Sequence, residues 1–154
     1  MSKAQTVPTT AVDPTVAAAA SQFLSPIVLG LEALTVNGKQ AHWHVRGANF
    51  VGVHELLDTI VAHAGDFADT AAERIVALGL PIDARIETVA AKAGTTAVPA
   101  GFAQSDELIR AVISDIDTIL ADVKAAIDGL DEVDLTSQDV AIEIMRGLEK
   151  DRWF

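Results

Sequence analysis

The stretch VGVHELLDTIVAHAGDFADTAAERIVAL, residues 51–78, decides the fold of this chain. Its apolar residues recur at steps of three and four, which is the period of one face of an α-helix. They are Val53, Leu57, Ile60, Ala64, Phe67, Ala71, Ile75 and Leu78. Such a seam is typical of a helix packed inside a bundle. Gly79 and Pro81 follow it, and they predict that the helix ends there.

Three more long helices are predicted around this one. Asp13 and Pro14 are typical of an N-cap and a first turn, and they open a helix that runs to about His44. Ser105 is predicted to cap the third helix and Thr136 the fourth. Almost no segment shows the alternating pattern of a strand, so the chain is predicted to be all-α.

The connection between the second and third helices is unusually long. It covers residues 82–103 and contains a short helical segment from about Asp83 to Lys92. Four long helices with a long crossover after the second predict a ferritin-like four-helix bundle with a short helix in that connection. We expect residues 1–12 to form a flexible tail and residues 13–154 to form the single domain.

Composition narrows the classes of function. The chain has no cysteine, so a metal would have to be held by nitrogen and oxygen ligands. Its formal net charge of −11 disfavours nucleic acid and anionic membrane as partners. The apolar segment from Val16 to Val36 is interrupted by Gln22, Pro26 and Glu32, which indicates a core-facing helix rather than a membrane span. We therefore expect a cytoplasmic protein without membrane contact.

The second helix carries two pairs of possible metal ligands. His54 and Asp58 are four residues apart, as are Asp69 and Glu73, so each pair shares a face and can hold one cation. Eleven residues separate Asp58 from Asp69, which places the pairs on nearly the same side but about 16 Å apart along the helix axis. Because metal ligands bind at about 2 Å, the pairs cannot share a metal within one chain. They form either two weakly ligated sites or two halves completed by a second molecule.

A two-fold axis would join these halves. If the second helices of two chains pack antiparallel to each other, His54 and Asp58 of one chain oppose Asp69 and Glu73 of the other, and two identical sites arise. The small residues of the sequence AHAG, residues 62–65, would allow the helices to approach closely. His42 is the natural additional ligand, because the turn at Gly47 folds the first helix back onto the second.

Structural alternatives exist for several of these residues. A single histidine, such as His44 or His63, is more often a surface or hydrogen-bonded residue than a ligand. Arg46 and Arg74 are alternative salt-bridge partners for the acids. From position alone, Trp43 is more often a core aromatic than a redox participant. The five ligand candidates together are harder to explain structurally, because acids in an apolar seam are costly unless they are paired or bind metal.

Two motifs carry a resemblance to a known family. The run KQAHWHVRGANFVGVHELLD, residues 39–58, and the run DTAAERIVALGLP, residues 69–81, resemble the Dps family, the miniature ferritins also called DNA-binding proteins from starved cells. The pattern is His-Trp, a histidine twelve residues after the first, an aspartate four later, an aspartate eleven later and an Ala-Glu-Arg segment. This sequence has every residue of that pattern at the stated spacing.

The resemblance implies a dinuclear iron site between two-fold-related subunits. His42, His54 and Asp58 would come from one subunit, and Asp69 and Glu73 from its partner. Trp43 would lie beside the iron and guard against radical escape. The resemblance also implies a hollow dodecamer that oxidises Fe(II), preferably with hydrogen peroxide, stores the ferric product and protects against oxidative stress.

Three further expectations complete the prediction. His63 is a candidate for an extra metal site near the two-fold axis, and Asp134 and Asp139 are candidates for an ion-entry pore. DNA binding is expected to be weak or absent, because the N-terminal tail offers only Lys3 as a phosphate contact. The alternative functions are a metal-dependent hydrolase that uses the same histidine and carboxylate site, and an architectural protein that coats DNA.

Overall fold

The computed structural model describes residues 12–154, so the predicted tail lies outside the described residues except for Val12. Four long helices and one short helix follow one another in the predicted order. They are α1 (Pro14–His44), α2 (Phe50–Ala77), α3 (Ile86–Lys92), α4 (Ser105–Leu130) and α5 (Leu135–Trp153). Two short strands accompany them, β1 (Val45–Arg46) and β2 (Ala103–Gln104). The predicted four-helix bundle, with a short helix in the long connection, is therefore confirmed.

The predicted helix caps are correct at α1 and wrong at α4 and α5. The Thr15 amide donates to the Asp13 carboxylate at 2.8 Å, as predicted. Ser105 is the first residue of α4 rather than its cap. Thr136 lies inside α5, and Asp134 caps that helix instead, accepting a hydrogen bond from the Ser137 amide. A carboxylate caps well because it accepts strongly and favours the positive end of the helix dipole.

The core lies between the four long helices, and α1 contributes more to it than any other helix. Among the described residues, α1 is the one helix long and apolar enough to cross a membrane by length and composition. It packs against both α2 and α4, and Leu24, Ile27, Leu31 and Leu34 are fully buried. These contacts are those of a core helix in a bundle, as the interrupted apolar pattern predicted.

Helices α2 and α5 run antiparallel, and three contacts connect them along their length. Arg74 of α2 donates hydrogen bonds to Ser137 and Asp134 at the start of α5. In the middle, the half-buried ring of Phe67 lies over Gly147, which has no side chain to obstruct it. Near the end of α5, Nδ1 of His63 on α2 donates a hydrogen bond to Asp151. This arrangement determines which side of α2 faces the bundle.

The two strands pair in parallel, with Val45 opposite Ala103 and Arg46 opposite Gln104. No alternating pattern predicted them, because two residues are too few to show one. The pairing ties the end of the long connection to the turn between α1 and α2. Gly47 follows with a φ of 118°, a conformation that favours glycine. The strand pairing therefore holds the turn between α1 and α2, and the glycine after it allows the chain to reverse direction.

Candidate metal site

His42 and His54 form a reciprocal pair where α1 meets α2. Nδ1 of His42 donates to the carbonyl oxygen of His54 at 2.8 Å, and Nδ1 of His54 donates to the carbonyl oxygen of His42 at 2.9 Å. The two rings stack with centroids 3.6 Å apart, and Phe50 stacks on the outer face of His54 at 5.3 Å. Both imidazoles are thus held by backbone and by ring contacts. The predicted proximity of His42 to His54 is confirmed.

These hydrogen bonds determine which nitrogen is available to a ligand. A carbonyl oxygen only accepts, so each Nδ1 carries the proton and each neutral ring keeps its lone pair on Nε2. Metal-binding histidines in proteins are usually oriented in this way, with the remote nitrogen donating to a carbonyl or carboxylate. Each ring therefore keeps an Nε2 lone pair of the kind that binds first-row metal ions.

Asp58 lies beside this pair, and a lysine neutralises it. Its Oδ1 is 3.3 Å from Nδ1 of His42, and it accepts a hydrogen bond from Nζ of Lys39 on α1. The pKa of the Asp58 carboxyl lies below its ordinary value, chiefly because of the Lys39 hydrogen bond and also because of the nearby histidines. Asp58 is therefore an ionised carboxylate at neutral pH.

Asp69 and Glu73 do not join this cluster. Both are exposed on α2, more than two turns further along the helix. Within residues 12–154, no group of three or more histidine, aspartate or glutamate side chains is already arranged to hold a metal ion. Arg74, an alternative salt-bridge partner for these acids, instead pairs with Asp134. The two acids thus remain open toward the surface of α2.

Trp43 is on the surface, not in the core. Its side chain is 60% exposed, although its neighbours Ala41 and His42 are buried. It lines an open groove of about 420 Å³ with Val36, Lys39 and Val61, among others. The interpretation as a core aromatic is wrong, because α1 turns position 43 away from the bundle. An apolar groove beside the histidine pair is a surface suited to contact with another protein chain.

His63 points to a different side of α2. Its Nδ1 donates to Asp151 of α5, at 2.8 Å from Oδ1 and 3.0 Å from Oδ2. The Asp151 side chain is 0% exposed and that of His63 is 40% exposed. Burial raises the pKa of Asp151, although the His63 hydrogen bond opposes that shift. The structural interpretation of His63 is thus supported within the chain, and a metal at its free Nε2 stays a prediction.

The two candidate pore residues have different environments. Asp134 accepts hydrogen bonds from Arg74 and Ser137 and caps α5. Partial burial by itself raises the pKa of Asp134, but the bonds from Ser137 and Arg74 outweigh it and hold the pKa below the ordinary value. Its charge is partly balanced by Arg74 inside the chain, and its role in a pore stays a prediction. Asp139 is exposed on α5, and its role in a pore stays a prediction.

Sequence reasoning missed Lys39 and Phe50 as neighbours of the site. A signal for Lys39 was present, because it precedes His42 by three residues and therefore shares a helix face with it. Phe50 precedes His54 by four residues on α2 in the same way. Both were overlooked because a lysine and a phenylalanine are not metal ligands.

Comparisons with known proteins agree with this architecture. The family model described as Ferritin-like domain matches residues 32–154. The DNA protection during starvation protein of Agrobacterium fabrum is 34% identical over 117 residues, covering 75% of this chain and 72% of that protein. DNA protection during starvation protein 2 of Deinococcus radiodurans is 30% identical over 132 residues, but the chain spans only 55% of its length.

Solved structures give a closer match. The structure of Dps from Microbacterium arborescens in the high iron form has a TM-score of 0.93 and 70% sequence identity, covering 96% of this chain and 95% of that one. A Dps structure from Deinococcus radiodurans has a TM-score of 0.86 at 28% identity, covering 90% and 84%. The ferritin-like fold that the helix order predicted is confirmed.

Proposed function

Because this chain belongs to the Dps family of ferritin-like proteins, we propose that it oxidises Fe(II) with hydrogen peroxide and stores the ferric product. Membership supports a general role in iron storage and in protection of DNA. The observation that supports the finer proposal is the reciprocal His42 and His54 pair, whose Nδ1 atoms donate to backbone carbonyls and leave each Nε2 to a ligand, with the ionised Asp58 next to the His42 ring. Iron is the substrate in this proposal.

The site is completed by a second copy of the chain. One chain offers two imidazoles and one carboxylate at one end of α2, while Asp69 and Glu73 lie exposed about 16 Å further along the same side. A two-fold axis across α2 brings these halves together. The exposed Trp43 and Val36 beside the histidines support such a contact, since a second chain would cover them. We propose two such sites per dimer and a hollow dodecamer built from these dimers.

The residue types suit the reaction. Carboxylate oxygen is a hard ligand that holds both Fe(II) and Fe(III), and imidazole also binds iron. Two Fe(II) ions give one electron each, and with two protons they reduce one hydrogen peroxide to two waters. No hydroxyl radical leaves because both electrons are available at one site. Trp43 would lie beside the iron, where an oxidisable ring intercepts a radical that escapes. We place this activity in the cytoplasm.

The direct test is peroxide-driven oxidation of bound iron. The assembled protein is loaded anaerobically with Fe(II), peroxide is added, and ferric absorbance is recorded. We expect fast oxidation at about two irons per peroxide, lost in the double variant His54→Ala with Asp58→Ala. The matched control is His44→Ala with Asp128→Ala, which removes the same residue types outside the site. Oxidation that survives in the first variant, or no oxidation above buffer, overturns the proposal.

A mixing experiment tests whether two chains share each site. One variant carries His54→Ala and Asp58→Ala, and the other carries Asp69→Ala and Glu73→Ala. Each alone has no complete site, but a mixed dimer regains one of its two sites. Random co-assembly by co-expression should therefore restore about a quarter of wild-type activity. No recovery in verified mixed assemblies would mean that the halves do not belong to the same site.

A further inference from the structure

Asp58 already has a cation bound to it. Nζ of Lys39 donates to Oδ1 of Asp58, the same oxygen that lies 3.3 Å from Nδ1 of His42. Lys39 and His42 are three residues apart on α1, so one face of that helix presents an ammonium and an imidazole to one carboxylate of α2. Oδ1 of Asp58, which is a proposed iron ligand, therefore already accepts a hydrogen bond from a cationic side chain.

An ammonium and a divalent metal ion cannot both occupy the same carboxylate oxygen without strong repulsion. We propose that Lys39 holds the cation position at Asp58 in the iron-free site, and that Fe(II) displaces its ammonium on binding. Lys39 thereby sets the affinity of the site for divalent metal. This inference rests on the proposed function, since it assigns Lys39 a role toward the same substrate.

The Lys39 and Asp58 pair would also reduce repulsion between carboxylates when two chains meet. With Lys39 in place, the Asp58 carboxylate is neutralised, so the approach of Asp69 and Glu73 from a second copy does not put three unbalanced carboxylates together. The side chains of Lys39 and Asp58 are both partly exposed in the single chain. A second copy covering the adjacent groove would desolvate the pair and strengthen it.

A purely structural role for Lys39 makes a different prediction. Core packing and the reciprocal histidine bonds already join α1 to α2, and a partly exposed ion pair adds little to stability. If Lys39 were only a tether, removing it would lower stability slightly and leave metal affinity unchanged or weakened. If Lys39 competes with the metal, removing it tightens metal binding.

The test is anaerobic titration of the assembled apo-protein with Co(II), followed by calorimetry and by the visible absorption of the bound ion. Lys39→Met removes the ammonium and keeps the length of the side chain. The matched control is Lys124→Met, which makes the same change of charge at an exposed lysine paired with Asp128 in the next turn. We expect Lys39→Met to bind Co(II) about fivefold more tightly than the control, because the ion no longer has to break the pair.

Further variants separate the possible outcomes. Lys39→Gln serves if the methionine variant fails to assemble, and Lys39→Arg should stay near wild type because it retains the charge. If binding requires Asp58 but Lys39→Met equals Lys124→Met, the competing role is wrong and the proposed function stands. If Asp58→Asn leaves wild-type Co(II) binding and its absorption unchanged, the proposed site fails and the inference with it.

Discussion

Replacement of His63 by alanine should destabilise the protein through Asp151. The Asp151 side chain is 0% exposed, and both its oxygens lie within 3.0 Å of Nδ1 of His63. A hydrogen bond to a charged group contributes about 1.5–3 kcal/mol, and water can partly replace the half-exposed imidazole. We expect a loss of about 2 kcal/mol at pH 7, or roughly 5 °C in Tm for a chain of this size.

The pH dependence follows from the raised pKa of Asp151, caused by burial. The Asp151 carboxyl holds its proton more tightly in the folded chain than in the unfolded one. Its contribution to the free energy of unfolding is therefore most favourable below pH 3.8 and declines as the pH rises through the folded pKa. Removing His63 removes a hydrogen bond that opposes this shift. The destabilisation by His63→Ala should therefore be small near pH 4 and should grow toward pH 7.

The assay is thermal or urea unfolding at matched chain concentration, because the proposed assembly would itself stabilise the chain. His44→Ala is the control, since His44 donates only to the carbonyl oxygen of Gln40 on its own helix. Adding Asp151→Asn to His63→Ala should recover about 1 kcal/mol by removing the buried charge. An equal loss at pH 4 and pH 7, or no recovery in the double variant, would refute the reasoning.

Three other outcomes are expected. Gly147→Ala should lower the free energy of unfolding by about 1 kcal/mol in urea titrations, because a Cβ there would lie 2.1 Å from Cζ of Phe67 and push the ring off α5. Adding Phe67→Leu to the same chain should restore part of the lost free energy. Asp134→Ala should lower the free energy of unfolding by about 1–2 kcal/mol, since it removes the cap of α5 and the partner of Arg74. Because the pKa of Asp134 is lowered in the folded chain, this loss should shrink as the pH drops below 3.8 in acid titrations. Gel-shift assays with duplex DNA should show no retardation at physiological salt, because a chain of net charge −11 repels phosphate.

The helices were predictable because their signals are local. The periodicity of residues 51–78 requires only that one face of a helix be buried, and α2 has that face. The four-residue spacing of His54 and Asp58 places them together for the same reason. The caps of α4 and α5 were predicted at the wrong residues, since several polar residues near each start can serve and the choice depends on contacts such as Arg74 with Asp134.

The candidate site was only partly accessible to sequence reasoning. The proximity of His42 to His54 followed from a short turn between two helices, but the free Nε2 atoms did not. They depend on carbonyl groups that come within 3 Å only when α1 and α2 are packed in one register. The parallel pairing of Val45 with Ala103 was equally invisible, because it joins residues far apart in the chain.

The sequence by itself determined what depends on spacing within one helix: the apolar face of α2, the four-residue pairs of candidate ligands along it, and the order of four long helices with a crossover. Only the tertiary structure decided which charged side chains pair between helices. Lys39 lies on Asp58, His63 on Asp151 and Arg74 on Asp134. These pairs join separate helices, and their geometry depends on packing register and side-chain rotamers, which no local pattern specifies.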